Sequence, residues 1–318
     1  MTRIINFSEE IKKKKLQELK KPVVITFLGF MGKKSCFSDI HNLFQNHKNW
    51  RILEASPQDP NLYKWWKSPF AKIDAYSMKK KSLHLGLGTS KNQAASCFEE
   101  LKDKINSETP IILCGHSQGG LIALEFFKKY HSKLNIKGIV SITTPFYGVT
   151  IFGNLRKKKI LKKILQKSDS FFERNFMPLI ISKVYMNLIS IFGKIFRLTT
   201  IDFFPSGSLK KKREKDFFYF EKIKLPFLNI VASCEDVISL KNHISKEDFS
   251  SLVNGEIKKN DNILSVEDQC IKKVWEEAKQ IEIYADHGMF NIKNISKIFN
   301  HPKALEEIYF FVKILFKT

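Results

Sequence analysis

Ile111-Ile112-Leu113-Cys114-Gly115-His116-Ser117-Gln118-Gly119-Gly120-Leu121-Ile122-Ala123-Leu124 passes from an apolar run, through a Gly-x-Ser-x-Gly turn, into a second apolar run. It reads as a buried strand, a sharp turn and a helix, an order that lifts a serine oxygen to the tip of the turn. A side chain at Gly115 or Gly119 would collide with the neighbouring strand or helix. The bland alternative is a glycine-rich strand–helix turn with a bystander serine. The strand running straight in and the helix starting straight out favour the nucleophile.

Working outward, Val23–Phe30 is a nearly continuous apolar run with a glycine near its end, which suits a buried parallel strand. Trp50–Ala55 is a second strand candidate, and residues 56–87, with Pro57, Pro60 and Pro69, read as irregular. Asn92–Ile105 has Ala94, Phe98, Leu101 and Ile105 on one helical face. Then follow the strand 111–114, a helix over 118–130, strands at Gly138–Ile142, Phe227–Ser233 and Ile281–Tyr284, and a closing helix from about Pro302. Apolar strands alternating with helices predict an α/β fold, a mostly parallel central sheet flanked by helices. Residues 1–20 are a charged lead-in; 21–148 and 225–318 form the expected core.

The segment 149–224 is too long for a simple crossover and is expected to be a helical cap or lid. Within Phe176–Phe196, Lys183, Asn187, Ser190 and Lys194 fall in one narrow helical stripe, and the rest is almost all apolar. Such a helix can pack over the body, or line an acyl pocket as a mobile interfacial element.

The chain has 318 residues, 43 % hydrophobic, and carries a formal charge of +22. Only six of its 54 basic residues are arginine, at 3, 51, 156, 174, 197 and 213. Proteins that read base sequence rely on arginine for bidentate contacts, and no nucleic-acid module accompanies the scattered lysine runs. A solvated lysine surface or peripheral contact with an anionic membrane fits this charge better than specific nucleic-acid binding. Five cysteines without paired spacing point to a reducing compartment rather than a disulfide framework. No ligand spacing suggests a metal, and no cofactor is expected. The first residues lack an apolar core of signal-peptide length, so a cytoplasmic or peripheral-membrane location is expected; a specialised secretion route would leave no such mark.

A serine hydroxyl needs a base within hydrogen-bond reach and a third group to hold that base. For this kind of turn the chain order is serine, acid, histidine. Of the downstream histidines 131, 243, 287 and 301, His287 follows a strand and precedes a glycine, where a base can lean over the sheet edge. Asp236, just past the strand Phe227–Ser233, is the expected acid, with Glu235 and Asp286 as rivals. The oxyanion needs two backbone donors: Gln118 after the nucleophile, and Phe30 in the loop Leu28-Gly29-Phe30-Met31-Gly32.

Gly29–Gly32, Gly115-His-Ser-Gln-Gly119-Gly120, Thr144-Pro145-Phe-Tyr-Gly148, Ser233-Cys-Glu-Asp236-Val-Ile and Asp286-His287-Gly288 together resemble the landmarks of the α/β-hydrolase superfamily, nearest to its lipase and carboxylesterase branches. The resemblance implies Ser117 as nucleophile, Asp236 as acid, His287 as base, Phe30 and Gln118 as oxyanion donors, and a variable cap after the Thr-Pro segment. Many lipases carry His-Gly in the first loop, where this chain has Leu28-Gly29. The expected activity is hydrolysis of carboxylic esters, of lipid or apolar acyl type, through an acyl-enzyme. An acyltransferase or thioesterase would share the first half-reaction, and a non-catalytic membrane-associated protein could keep the fold.

Overall fold

The computed structural model describes residues 17–30, 32–46, 49–56, 69–150, 206–234, 259–261, 264–272, 274–288 and 296–316. The expected helix at 176–196, most of the lead-in and most of the cap lie outside them. Six strands, β1 (Val23–Phe27), β3 (Arg51–Ala55), β5 (Pro110–His116), β6 (Asn135–Ile142), β7 (Phe227–Ser233) and β8 (Lys279–Tyr284), form one sheet in the order β3-β1-β5-β6-β7-β8. Every neighbouring pair is parallel. A separate two-residue ribbon pairs β2 (Gly32–Lys33) antiparallel with β4 (Leu83–His84).

Both faces of the sheet are covered, which is why its inner strands carry no polar side. On β1, Val23, Ile25 and Phe27 join one apolar cluster while Val24 joins the other. The first cluster takes in Ala94, Cys97 and Leu101 from α3 (Ser90–Leu101) and Leu121, Leu124, Phe126 and Tyr130 from α4 (Gln118–Tyr130). The second takes in Ile40 and Phe44 from α1 (Ser38–Gln45) and Ile308, Phe311 and Val312 from α6 (Pro302–Phe316). Helix α3 begins where Thr89 accepts the Asn92 N–H at 3.2 Å, an N-cap. Helix α4 is apolar nearly all round because it runs through the core; Glu125 is its buried exception.

Helix α5 (Gly207–Lys222) falls within the expected cap yet packs on the body. Its Phe217 and Phe220 sit with Phe127, Phe146 and Trp275 in the first cluster. Polar contacts reinforce this docking: Lys212 meets Glu125 at 2.7 Å, and Lys128 meets Asp216 at 2.7 Å. Buried Arg213 lies 3.3 Å from both carboxylates. Removing one partner of such a buried set is far costlier than the set's net contribution.

Two expectations change. The span 56–87, expected to be irregular, contains α2 (Pro69–Lys81). Its inner face buries Asp74 and Ser77 beside Ala75 and Met78, while Ile73 and Tyr76 are exposed. With polar residues inward and apolar ones outward, the helical period is invisible in the sequence. Strand β6 starts at Asn135, before Gly138, because Lys137 is skipped in the pairing and the ladder continues past it. Among the described residues, no helix is long and apolar enough to cross a membrane.

Candidate active site

Ser117 sits between β5 and α4 with φ 53° and ψ −124°, a backbone state that costs a non-glycine residue roughly 1–3 kcal/mol. The surroundings hold it there. Its N–H donates to Ile142 O at 2.9 Å, and its carbonyl accepts the Gly120 N–H at 3.0 Å. A Cβ on Gly119 would come 1.9 Å from Phe27 O, and one on Gly120 would come 1.9 Å from Thr144 Oγ1. Only glycine lets the helix start this close to β1 and to the Thr-Pro segment.

His287 follows β8, the strand at the sheet's edge, and is buried. Its neighbour across the turn is His116, the residue before Ser117. His116 Nε2 donates to His287 O at 2.9 Å, and the two rings lie 4.8 Å apart, centroid to centroid. Burial and the adjacent His287 hold the His116 pKa well below the ordinary value, so it stays neutral with its proton on Nε2. Thus β5 and the loop after β8 are tied together one residue from the serine.

On its other side, His287 Nδ1 lies 2.6 Å from Asp261 Oδ2, and its N–H donates to Asp261 O at 3.0 Å. Asp261 is fully buried, and its Oδ1 accepts the Leu264 N–H at 2.7 Å. Among the described residues, the carboxylate against the His287 imidazole is Asp261, which was not among the expected candidates; Asp236 and Glu235 lie outside the described residues. The cause is topological. The chain leaves β7 at Ser233, and Asn260 pairs antiparallel with Cys234 just beyond it; Cys234 N–H donates to Asn260 O at 2.6 Å. Asp261 therefore stands at the strand's carboxyl end although it is distant in sequence.

Asp286, the third rival, is held by its own turn: its Oδ1 accepts the Gly288 N–H at 2.7 Å, and among the described residues its Oδ2 has no hydrogen-bond partner. Burial first of all pushes its carboxyl up to about 6, with the Asp261 charge adding to the rise and the Gly288 N–H opposing it. Between pH 4 and 6 the folded chain therefore keeps a proton that the unfolded chain has released, so stability falls as pH rises through that window. Asp286→Asn is expected to remove this slope, worth about 1–2 kcal/mol after solvent screening. Urea unfolding at pH 4, 5, 6 and 7 checks it; an unchanged slope would show that Asp286 is not its source.

The two oxyanion candidates occupy neighbouring loops. Gln118 opens α4, so its N–H has no acceptor within the helix. Its side chain is buried and donates from Nε2 to Gly86 O at 3.1 Å. Phe30 lies in the loop after β1; a Cβ built on Gly29 there would be 2.9 Å from Ser117 Cβ. Among the described residues, no group of three or more histidine, cysteine or acidic side chains is placed to hold a metal ion.

Residues 88–168 match the lecithin:cholesterol acyltransferase family. No curated protein matches this chain in sequence. Among solved structures, the chain is similar to the propeptide form of the Bacillus licheniformis lipase BlEst2, at 12 % identity and a TM-score of 0.45. That match covers 93 % of this chain and 50 % of the lipase, so the chain spans half the length of that relative. It is also similar to the metagenomic carboxyl esterase MGS0156, at 12 % identity and a TM-score of 0.47, covering 94 % of this chain and 76 % of that one. The α/β hydrolase MGS-M2 from a Medee basin deep-sea metagenome gives 14 % identity, a TM-score of 0.44, and 94 % and 90 % coverage. The parallel six-stranded sheet flanked by helices, with a strained serine between β5 and α4, is the fold of the α/β hydrolases, and the matched segment 88–168 contains that serine turn.

Proposed function

We propose that the protein is a serine ester hydrolase with Ser117 as nucleophile, His287 as base and Asp261 as acid. The observation that carries this is the buried 2.6 Å contact between His287 Nδ1 and Asp261 Oδ2, on a loop that His116 ties to the serine turn. A carboxylate on Nδ1 keeps the proton there and leaves Nε2 free to accept one. In acylation, Ser117 Oγ bonds to the acyl carbon while its proton passes to His287 Nε2. The carbonyl electron pair moves to oxygen, toward the Gln118 and Phe30 N–H groups. Collapse breaks the ester C–O bond, and the proton goes from His287 to the departing alcohol. Water then repeats the sequence on the acyl-enzyme.

The substrate reading is an ester with an apolar acyl chain, supported by the apolar content of the insertion and by the lysine excess that favours an anionic lipid surface. Turnover of p-nitrophenyl esters from acetate to palmitate, free and in neutral or anionic vesicles, tests it. Rates rising by about tenfold or more toward long chains are expected; a maximum at acetate would rule out the acyl pocket. A second reading, transfer of the acyl group to an alcohol other than water, is favoured by the match of 88–168 to a family named for acyl transfer. The matched segment contains the nucleophile turn, which both reactions share. Product analysis with and without an added sterol or long-chain alcohol separates them, because transfer yields a new ester and hydrolysis a free acid.

A further inference from the structure

We propose that His84 is a positioning residue for ester cleavage: it fixes the Gly29–Phe30 peptide so that the Phe30 N–H points at the developing oxyanion. This rests on Ser117 being the nucleophile and Phe30 an oxyanion donor. His84 is buried, and its Nδ1 lies 3.2 Å from Gly29 O. A carbonyl oxygen can only accept, so Nδ1 carries the proton and donates. Gly29 O and the Phe30 N–H belong to one planar trans peptide and point in opposite directions. Whatever grips the oxygen on one side therefore aims the N–H on the other. The Gly32 N–H also donates to Gly29 O, at 3.0 Å, so this oxygen has two donors and its peptide is locked.

His84 is carried by its strand and faces a buried acid. It pairs with Gly32 in the β2–β4 ribbon, which carries it to the oxyanion loop. Its Nε2 lies 3.5 Å from Asp74 Oδ2, on the polar inner face of α2. Asp74 in turn accepts the Leu85 N–H on Oδ1 at 2.9 Å and the Leu87 N–H on Oδ2 at 3.2 Å. Two residues along, Gly86 (φ 72°) approaches both donor residues. A Cβ there would stand 3.0 Å from Phe30 Cα and 2.3 Å from Gln118 Oε1. Gly86 O also accepts from Gln118 Nε2 and, at 3.2 Å, from Gln93 Nε2. One short segment, 84–86, thus braces both walls of the oxyanion site. The carboxylate buried in α2 has its use here, facing an imidazole rather than solvent.

Asparagine places a donor where histidine has Nδ1, and glutamine places one where histidine has Nε2, so the two substitutions separate the contacts. His84→Asn is expected to keep kcat within about threefold of wild type. His84→Gln is expected to lower kcat by about 10- to 100-fold with KM changed by less than about threefold, a little less than deleting an oxyanion donor outright. Rates are taken per site titrated by a fluorophosphonate, so that misfolded protein does not count. Affinity for a trifluoromethyl ketone carrying the same acyl chain, whose adduct places an oxyanion in the site, should fall in parallel with kcat. Equal rates in the two variants, or a loss confined to the titratable fraction, would overturn the assignment. If His84→Gln does not fold, His84→Asn decides: a folded variant that loses more than about tenfold in kcat overturns it. Absence of both labelling and turnover in the wild type instead defeats Ser117 as nucleophile, and this proposal with it.

Discussion

Ser117→Ala is expected to abolish covalent labelling by a fluorophosphonate and to lower ester turnover by roughly 10⁵-fold or more, since the attacking hydroxyl is gone. Residual turnover of about 10³-fold over water should persist, because the backbone donors survive the change. The same position allows a stability measurement. Ser117 holds φ 53° and ψ −124°, a state that glycine adopts at little cost. Ser117→Gly should therefore be as stable as wild type or more so, by about 1 kcal/mol, while being equally inactive. Chemical unfolding of wild type, Ser117→Ala and Ser117→Gly checks this. Labelling that persists in the alanine variant would exclude Ser117 as the nucleophile.

Asp261→Asn is expected to cost about 10³- to 10⁴-fold in kcat with little change in fold. Its Oδ1 can still accept the Leu264 N–H, but the amide nitrogen facing His287 Nδ1 is a donor, so the imidazole must place its own proton on Nε2. A histidine protonated on Nε2 cannot take the serine proton. Asp236→Asn, made in parallel, is expected to retain kcat within about threefold. The reverse pattern, with Asp236→Asn inactive and Asp261→Asn active, would falsify the assignment of the acid and restore the residue that the strand-end position suggests.

The serine turn was legible in the sequence because its chemistry is local: three glycines, the end of a strand and the start of a helix lie within fourteen consecutive residues. The parallel sheet was legible too, since strands buried on both faces are apolar throughout. His287 could be singled out because a strand, an acid and a glycine frame it. What escaped depends on long-range pairing. The contact of Asp261 with His287 is one such feature: Asp261 is far from β7 in sequence and is brought to its end by the Cys234–Asn260 bridge, while Asp236 lies outside the described residues. Helix α2 was hidden because Asp74 and Ser77 face inward, and the reason for a carboxylate there emerges only when His84 is brought beside it. His84 carried no sequence signal, being a single histidine in a two-residue strand.

The crossing of Asn260 over Cys234 has an evolutionary corollary. Cys234 and Asn260 are paired side by side although 25 positions separate them in sequence, so the number of residues between them can change while Asp261 keeps its address. Shortening the sequence between them in stages, with Cys234, Asn260 and Asp261 left intact, should leave fluorophosphonate labelling of Ser117 in place.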